Sequence, residues 1–232
     1  MDNNLMAIKA IEAVSISTLA YCKFLSANDT GDTGGHQAGI YVAKEAIPIL
    51  FDVPGVRGEN KDRFVTIRWQ DDFTTDSRFI YYGQGTRNEY RITRFNRGFP
   101  FLRTEHTGDL FVLAQLSESD YAAYVLNTED EINSFLDAFG MSPSDTGRII
   151  QKEDIRQDTQ VEIALSQFIS SLREDFPASV QMSAAARDIY NRVFNHQENI
   201  RLNPDSELVS WLDMEFRLFR RIEFARYGEM IT

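Results

Sequence analysis

Residues 62–70 read DRFVTIRWQ, with Phe64, Thr66 and Arg68 alternating with Val65, Ile67 and Trp69. A period of two marks a strand with one face buried and the other in water. Working outward, six more short segments read as strands: STLAYCKFLSA and GIYVAK before it, then SRFIYYG, EYRITRF, DLFVLAQL and YAAYVLNT. Loops rich in Gly, Asn, Asp and Thr separate them. About seven short strands predict a mostly β fold, an antiparallel barrel or pseudobarrel with few helices, and 17 Phe and nine Tyr suit it. Ahead of the strands, Leu5, Ile8, Ile11 and Val14 have helical spacing, and KEAIPILF reads as a short helix or turn.

Beyond Glu129 the pattern changes. EDEINSFLDAFG is an amphipathic helix that Gly140 would stop. The polar run 140–159, with Pro143 and Gly147, reads as a linker. QVEIALSQFISSLRE, SAAARDIYNRVFNHQ and the long SELVSWLDMEFRLFRRIEFARYGEM read as helices. Leu208, Trp211, Leu212, Phe216, Leu218, Phe219 and Ile222 give the last one a wide apolar stripe. So wide a stripe needs something to pack on, which implies a larger domain. The expected organisation is therefore a barrel over 1–139, a linker over 140–159, and the helical start of an incomplete domain over 160–232.

The single cysteine, Cys22, cannot form an internal disulfide and excludes zinc sites with two Cys ligands. No apolar run is long enough for a membrane span, and MDNNLMAIKAIEA lacks the pattern of a secretory signal. A cytoplasmic location without membrane contact is the expectation. The net charge of −11 alone argues against nucleic acid. Residues 86–103, TRNEYRITRFNRGFPFLR, run against it, with five Arg, one Glu and no Asp or Lys. Guanidinium forks suit phosphates and guanine edges, and the interleaved Tyr90, Phe95, Phe99 and Phe101 imply a folded platform.

The second unusual segment is SANDTGDTGGHQAGIYV, residues 26–42. It invites three enzymatic readings. Asp-Thr-Gly occurs at 29–31, 32–34 and 145–147, but aspartic proteases need the tripeptide directly after an apolar strand in paired units. Turn formation explains these residues better. A phosphate loop needs Lys-Ser/Thr at a helix start, whereas this loop ends in His-Gln and enters a strand. His36 has only His106 and His196 as fellow histidines, at no metal-binding spacing. A fourth reading joins the two segments. The Gly/Thr loop offers backbone N–H groups and small donors to a phosphate backbone, and the Arg-rich arm offers counter-charge and base-edge donors. Glu89 is then either a structural salt bridge or an acceptor for a cytosine amino group, with Arg87 or Arg91 on guanine.

LSANDTGDTGGHQAGIYV and TRNEYRITRFNRG…TGDLFVLAQL resemble the N-terminal effector domains of EcoRII-type restriction endonucleases, over roughly residues 15–128. LREDFPASVQMSAAARDIY and LDMEFRLFRRIEFARYG carry a weaker resemblance to the opening helices of the family's catalytic domain. The resemblance implies a DNA-binding pseudobarrel of the plant B-three type. In such a domain two arms clamp one copy of a CCWGG-type site and regulate cleavage at a second copy, the type IIE arrangement. It implies a first arm from Asn28 to Tyr41, with His36 and Tyr41 at recognition positions and Asn28, Thr30, Thr33, Gly34 and Gly35 on the DNA backbone. In the second arm Arg87, Glu89 and Arg91 would read bases, and Arg94 and Arg97 would hold phosphates. Gly85 and Tyr90 stand where the family pattern has lysines, which removes two cations. The family's Mg²⁺-dependent nuclease motif has no match here, so this chain is expected to bind double-stranded DNA without a cofactor or metal and without cutting it. The parent enzyme would be a homodimeric hydrolase of a restriction-modification system, and this chain a monomer. The competing readings are a transcriptional regulator built on the same pseudobarrel and a complete small Mg²⁺-dependent nuclease.

Overall fold

The computed structural model describes residues 5–33, 39–151, 155–194 and 203–231, with side chains to 228. The chain divides into two compact units, Met1–Asp154 and Ile155–Thr232. The first holds seven strands: β1 Leu19–Phe24, β2 Ile40–Val42, β3 Lys61–Trp69, β4 Thr74–Tyr82, β5 Glu89–Thr93, β6 Leu110–Gln115 and β7 Asp120–Leu126. They form one sheet in the order β1-β6-β7-β3-β4-β5-β2. Each of the seven expected strands is present, and the fold is the expected pseudobarrel followed by helices. One pairing departs from the antiparallel expectation: β3 and β7 run parallel. Parallel neighbours need a long crossover, and β4, β5 and β6 supply it.

The alternation in β3 does what its period predicts. Val65, Ile67 and Trp69 enter a core shared with Phe79, Tyr81, Tyr90, Ile92, Phe111, Leu113, Tyr121 and Val125. Asp62, Phe64 and Arg68 on the other face stay exposed. Residues 70–73 join β3 to β4: Phe73 N–H donates to the Gln70 carbonyl at 3.3 Å, and the two residues between, Asp71 and Asp72, both take positive φ, 58° and 57°. That is the left-handed geometry a two-residue hairpin requires. By contrast, β6 reads LFVLAQ and buries five residues in succession. Phe111 and Leu113 face the barrel core. Leu110, Val112 and Ala114 face the opposite way, where α1, Leu5–Ile16, lies against β6 and β7. Strands covered on both faces lose their alternation for this reason. A short helix, α2 (Ile47–Leu50), plugs the core with Ile49 and Leu50. α3, Glu129–Ala138, packs on α1; the Thr128 side chain accepts the Glu131 N–H at its start.

The run expected as a linker, 140–159, is divided. Gly147 N–H donates to the Cys22 carbonyl and Ile150 N–H to that of Ala20, both at 2.8 Å, so its first half lies along β1. The second unit begins after Asp154 and holds α4 Gln157–Ser171, α5 Ser179–Phe194 and α6 Pro204–Ile231. Val161, Leu165, Ala186, Ile189, Met214, Leu218 and Ile222 form its core. Of the apolar stripe expected on α6, Leu218 and Ile222 are buried together with Met214, at a spacing of four, while Leu208, Leu212, Phe216 and Phe219 are exposed. A helix with more apolar residues than one face can carry buries only the row that meets its neighbours.

Candidate nucleic-acid interface

Residues directly opposite on neighbouring strands share a face. Tyr41 on β2 lies opposite Arg91 on β5. Arg91 lies opposite Ile80 on β4, and Ile80 opposite Asp62 on β3. Flanking this row, Glu89 pairs with Tyr82, and Thr93 with Arg78. Arg78 in turn lies opposite Phe64. All of these point away from the core. The two segments singled out in the sequence therefore meet on one outward face of β2, β5, β4 and β3, the part of the sheet that α1 leaves uncovered.

Arg87, just before β5, and Arg94 and Arg97, just after it, are exposed. The guanidinium of Arg87 lies 5.3 Å from the centre of the Tyr82 ring, and that of Arg94 lies 5.1 Å from the Phe64 ring. Stacking of this kind holds a long side chain extended without neutralising it. Arg94 has a φ of 64°, which turns the chain out of β5. Phe95, Phe99 and Phe101 then gather on Trp69 at centroid distances from 4.6 to 6.0 Å. The Arg-rich run is thus bolted to the core by its aromatic residues. At the tip of the second arm, Tyr81 donates its hydroxyl to Asn88 Oδ1 at 3.0 Å. Tyr90 faces inward with its ring 4.7 Å from that of Tyr81. Gly85 occupies an open turn at φ 65°.

Glu89 and Arg91 are joined to each other, Oε2 to Nη2 at 3.3 Å. Arg91 also donates through Nη1 to the Gly39 carbonyl at 3.3 Å, and it is only 4% exposed. That bond links the end of the first arm to the second arm. Gly39 can sit there only as glycine. Its φ is 151°, and a Cβ would fall 2.7 Å from the Ile92 carbonyl oxygen and 2.9 Å from Thr93 Cγ2.

The first arm is anchored by Asp29, whose side chain is fully buried. Its Oδ2 accepts from Lys23 Nζ at 2.6 Å, Ser26 N at 2.8 Å and Ser26 Oγ at 2.7 Å. Its Oδ1 accepts the Tyr41 N–H at 2.7 Å. Burial pushes the carboxyl upward, but Lys23 and the donors from Tyr41 and Ser26 outweigh it and hold it below the usual carboxylate range. A carboxylate occupied by four donors is an anchor, which accounts for the first Asp-Thr-Gly. In the last one, Asp145 accepts from Ser142 N at 2.9 Å and caps a tight turn. Thr30 is buried, its Oγ1 2.6 Å from Thr107 Oγ1, while Asn28 and Thr33 are exposed. Gly34, Gly35 and His36 lie outside the described residues. Among the described residues no three His, Cys, Asp or Glu side chains are grouped to hold a metal ion.

The Lys23–Asp29 ion pair was not legible in the sequence, yet a signal for Asp29 existed. Ser26-x-x-Asp29 is a reciprocal capping pattern, and Asp29 N–H donates back to Ser26 Oγ at 3.3 Å. Phe64, Arg78 and Tyr82 could have been placed on the face from strand parity alone.

Taken together, a curled sheet with one uncovered face, lined by guanidinium groups, aromatic rings and a carboxylate, defines a β-pseudobarrel binding domain. Residues 14–143 match the family described as "Restriction endonuclease EcoRII, N-terminal", and the chain belongs to that family. Over 111 residues it is 38% identical to the type II restriction enzyme EcoRII of Escherichia coli, an alignment covering 45% of this chain and 28% of that enzyme. The chain thus matches little more than a quarter of that relative's length. It is also similar to the crystal structure of the UbaLAI restriction endonuclease B3 domain with cognate DNA, at 20% identity and a TM-score of 0.34, covering 51% of this chain and 74% of that one. An overlap that small carries no residue roles.

Proposed function

We propose that the uncovered face and its two arms bind double-stranded DNA sequence-specifically, at a CCWGG-type site, as the effector domain of a type IIE restriction endonuclease. The observation that carries this reading is the pairing of Tyr41 with Arg91, which puts both arms on one face. Family membership supports it, and so does the chemistry. Arg87 and Arg91 present bidentate forks suited to guanine, and Glu89 presents an acceptor suited to a cytosine amino group. Arg94, Arg97, Asn28 and Thr33 reach water and suit phosphate contacts. Thr30 suits a phosphate contact poorly, since its hydroxyl is engaged with Thr107 and its N–H donates to the Ser26 carbonyl at 3.2 Å. His36, Gly34 and Gly35 complete the first arm in this proposal. Arg91 must exchange its bond to the Gly39 carbonyl for a base edge, so binding and arm rearrangement are one event.

Cleavage is proposed for the homodimeric parent enzyme, with Mg²⁺. No step passes through a metal here, because the described residues offer it no ligand set. Among the described residues no helix is long and apolar enough to cross a membrane. A monomeric, cytoplasmic chain that binds without cutting is the accompanying proposal. The test is a gel shift with a CCWGG duplex against the same duplex with the motif scrambled. The site should be bound at least about a thousandfold more tightly, as specific readers do. Equal affinities would remove the specific-reader claim, and nicking of a plasmid in Mg²⁺ would favour the small-nuclease reading.

A further inference from the structure

The sheet has two ends, β1 and β2, and the strand order gives neither of them the other as a hydrogen-bonded neighbour. β2 is three residues long and pairs only with β5. The middle residue, Tyr41, turns its peptide groups to the open edge. Its N–H donates to Asp29 Oδ1 at 2.7 Å, and its carbonyl accepts from Lys23 Nζ at 3.1 Å. Lys23 belongs to β1 and is bonded to Asp29 at 2.6 Å. One ion pair therefore offers the Tyr41 peptide groups an acceptor and a donor, as a neighbouring strand would, and bridges the two ends of the sheet.

We infer that the Lys23–Asp29 pair is a clasp that closes the seam of the pseudobarrel and sets the first arm against the reading face, with Asp29 as a positioning residue for recognition. The inference rests on the proposed DNA-binding reading. Asp29 and Tyr41 stand at the two feet of the arm, twelve residues apart. Between them the sequence is TGDTGGHQAGI, with a single large apolar residue, Ile40, to anchor it. The bonds at its two feet fix where the arm leaves and rejoins the sheet. Tyr41 carries its ring onto the outward face, 38% exposed and opposite Arg91. Lys23 Nζ also lies 5.7 Å from the centre of that ring. Releasing the clasp returns conformational freedom to the arm, and binding must then remove it again.

The sign of the effect separates positioning from simple charge. Removing a carboxylate near DNA strengthens binding through the general field. Asp29→Asn should weaken it. The test uses the full chain and two readouts, amide hydrogen exchange at Tyr41 and gel shifts with the CCWGG and scrambled duplexes. Asp29→Asn should raise Tyr41 exchange and lower affinity for the site, each by about tenfold, with a much smaller change on the scrambled duplex. Asp32→Asn removes the same charge from an exposed neighbour in the arm and should change neither readout in that direction. If Asp29→Asn fails to fold, Lys23→Met decides. It leaves the Asp29–Tyr41 and Asp29–Ser26 bonds available and should still speed Tyr41 exchange. Unchanged Tyr41 exchange, or unchanged site preference, in a folded Asp29→Asn or Lys23→Met chain overturns the inference. A wild-type chain that cannot tell the two duplexes apart overturns the DNA-binding reading, whereas the exchange measurement would still test the clasp.

Discussion

Arg91 is held between the Glu89 carboxylate and the Gly39 carbonyl, and both bonds are 3.3 Å long. A cation that is 4% exposed is costly to leave without such partners. A guanine edge can replace them because it offers two acceptors spaced for the guanidinium fork. In the proposed DNA complex Glu89 is then released toward a cytosine amino group on the same face, and the two halves of the pair should respond differently to truncation. Arg91→Ala should cost about 1–3 kcal/mol on the CCWGG duplex and far less on random DNA, measured by gel shift. Glu89→Ala should relax discrimination at one cytosine and leave the other positions intact. An Arg91→Ala chain that loses equally on both duplexes would make Arg91 a phosphate contact. Unchanged discrimination in Glu89→Ala would leave Glu89 as a salt bridge alone.

Strands and arms explain which parts of this were legible. Alternation in β3 gave its buried and wet faces directly, because a half-covered strand must alternate. β6 was recognisable as a strand from its apolar run, but its two-sided burial depended on α1, a contact that no local pattern encodes. The arms were legible by composition, as a Gly/Thr loop and an Arg-rich run. Their meeting on one face was not, since it depends on β2 pairing with β5 and not with its sequence neighbour β1. The ion pair of Glu89 was one of two readings open in the sequence, and the free chain holds it. On α6 the apolar content was legible but the buried row was not, since burial follows the neighbours a helix meets. Gly39 shows how tightly β2 and β5 approach. Gly39→Ala would force a Cβ to 2.7 Å from the Ile92 carbonyl oxygen, against backbone that cannot step aside. Urea unfolding should register a loss of about 1–3 kcal/mol. Site affinity should fall further than that of Arg97→Ala, whose parent side chain is exposed. Full stability in Gly39→Ala would mean that β2 does not press on β5 in solution.

At the scale of the molecule, the chain is acidic, with a net charge of −11, yet the exposed residues flanking β5 include Arg87 at one end and Arg94 and Arg97 at the other. Such asymmetry favours one approach of a polyanion and repels others. Each described residue assigned to the arms or the face lies within the unit Met1–Asp154. Among the described residues the core of that unit includes Trp69, Phe79, Tyr121 and Phe111, all within Met1–Asp154. The last segment of the unit, 147–150, is bonded along β1 and belongs with the barrel. A chain cut after Asp154 should therefore fold cooperatively and keep its preference for the CCWGG duplex, whereas a cut after Phe139 should expose β1 and lower the melting temperature. Salt dependence supplies a second measure. If the phosphate contacts all come from the barrel unit, the slope of log affinity against log salt should change by less than about one upon removal of 155–232, and by about one in Arg97→Ala. A fragment 1–154 that melts like the full chain but loses the duplex preference would place part of the reading surface on the helices, because the arms would then be intact and insufficient.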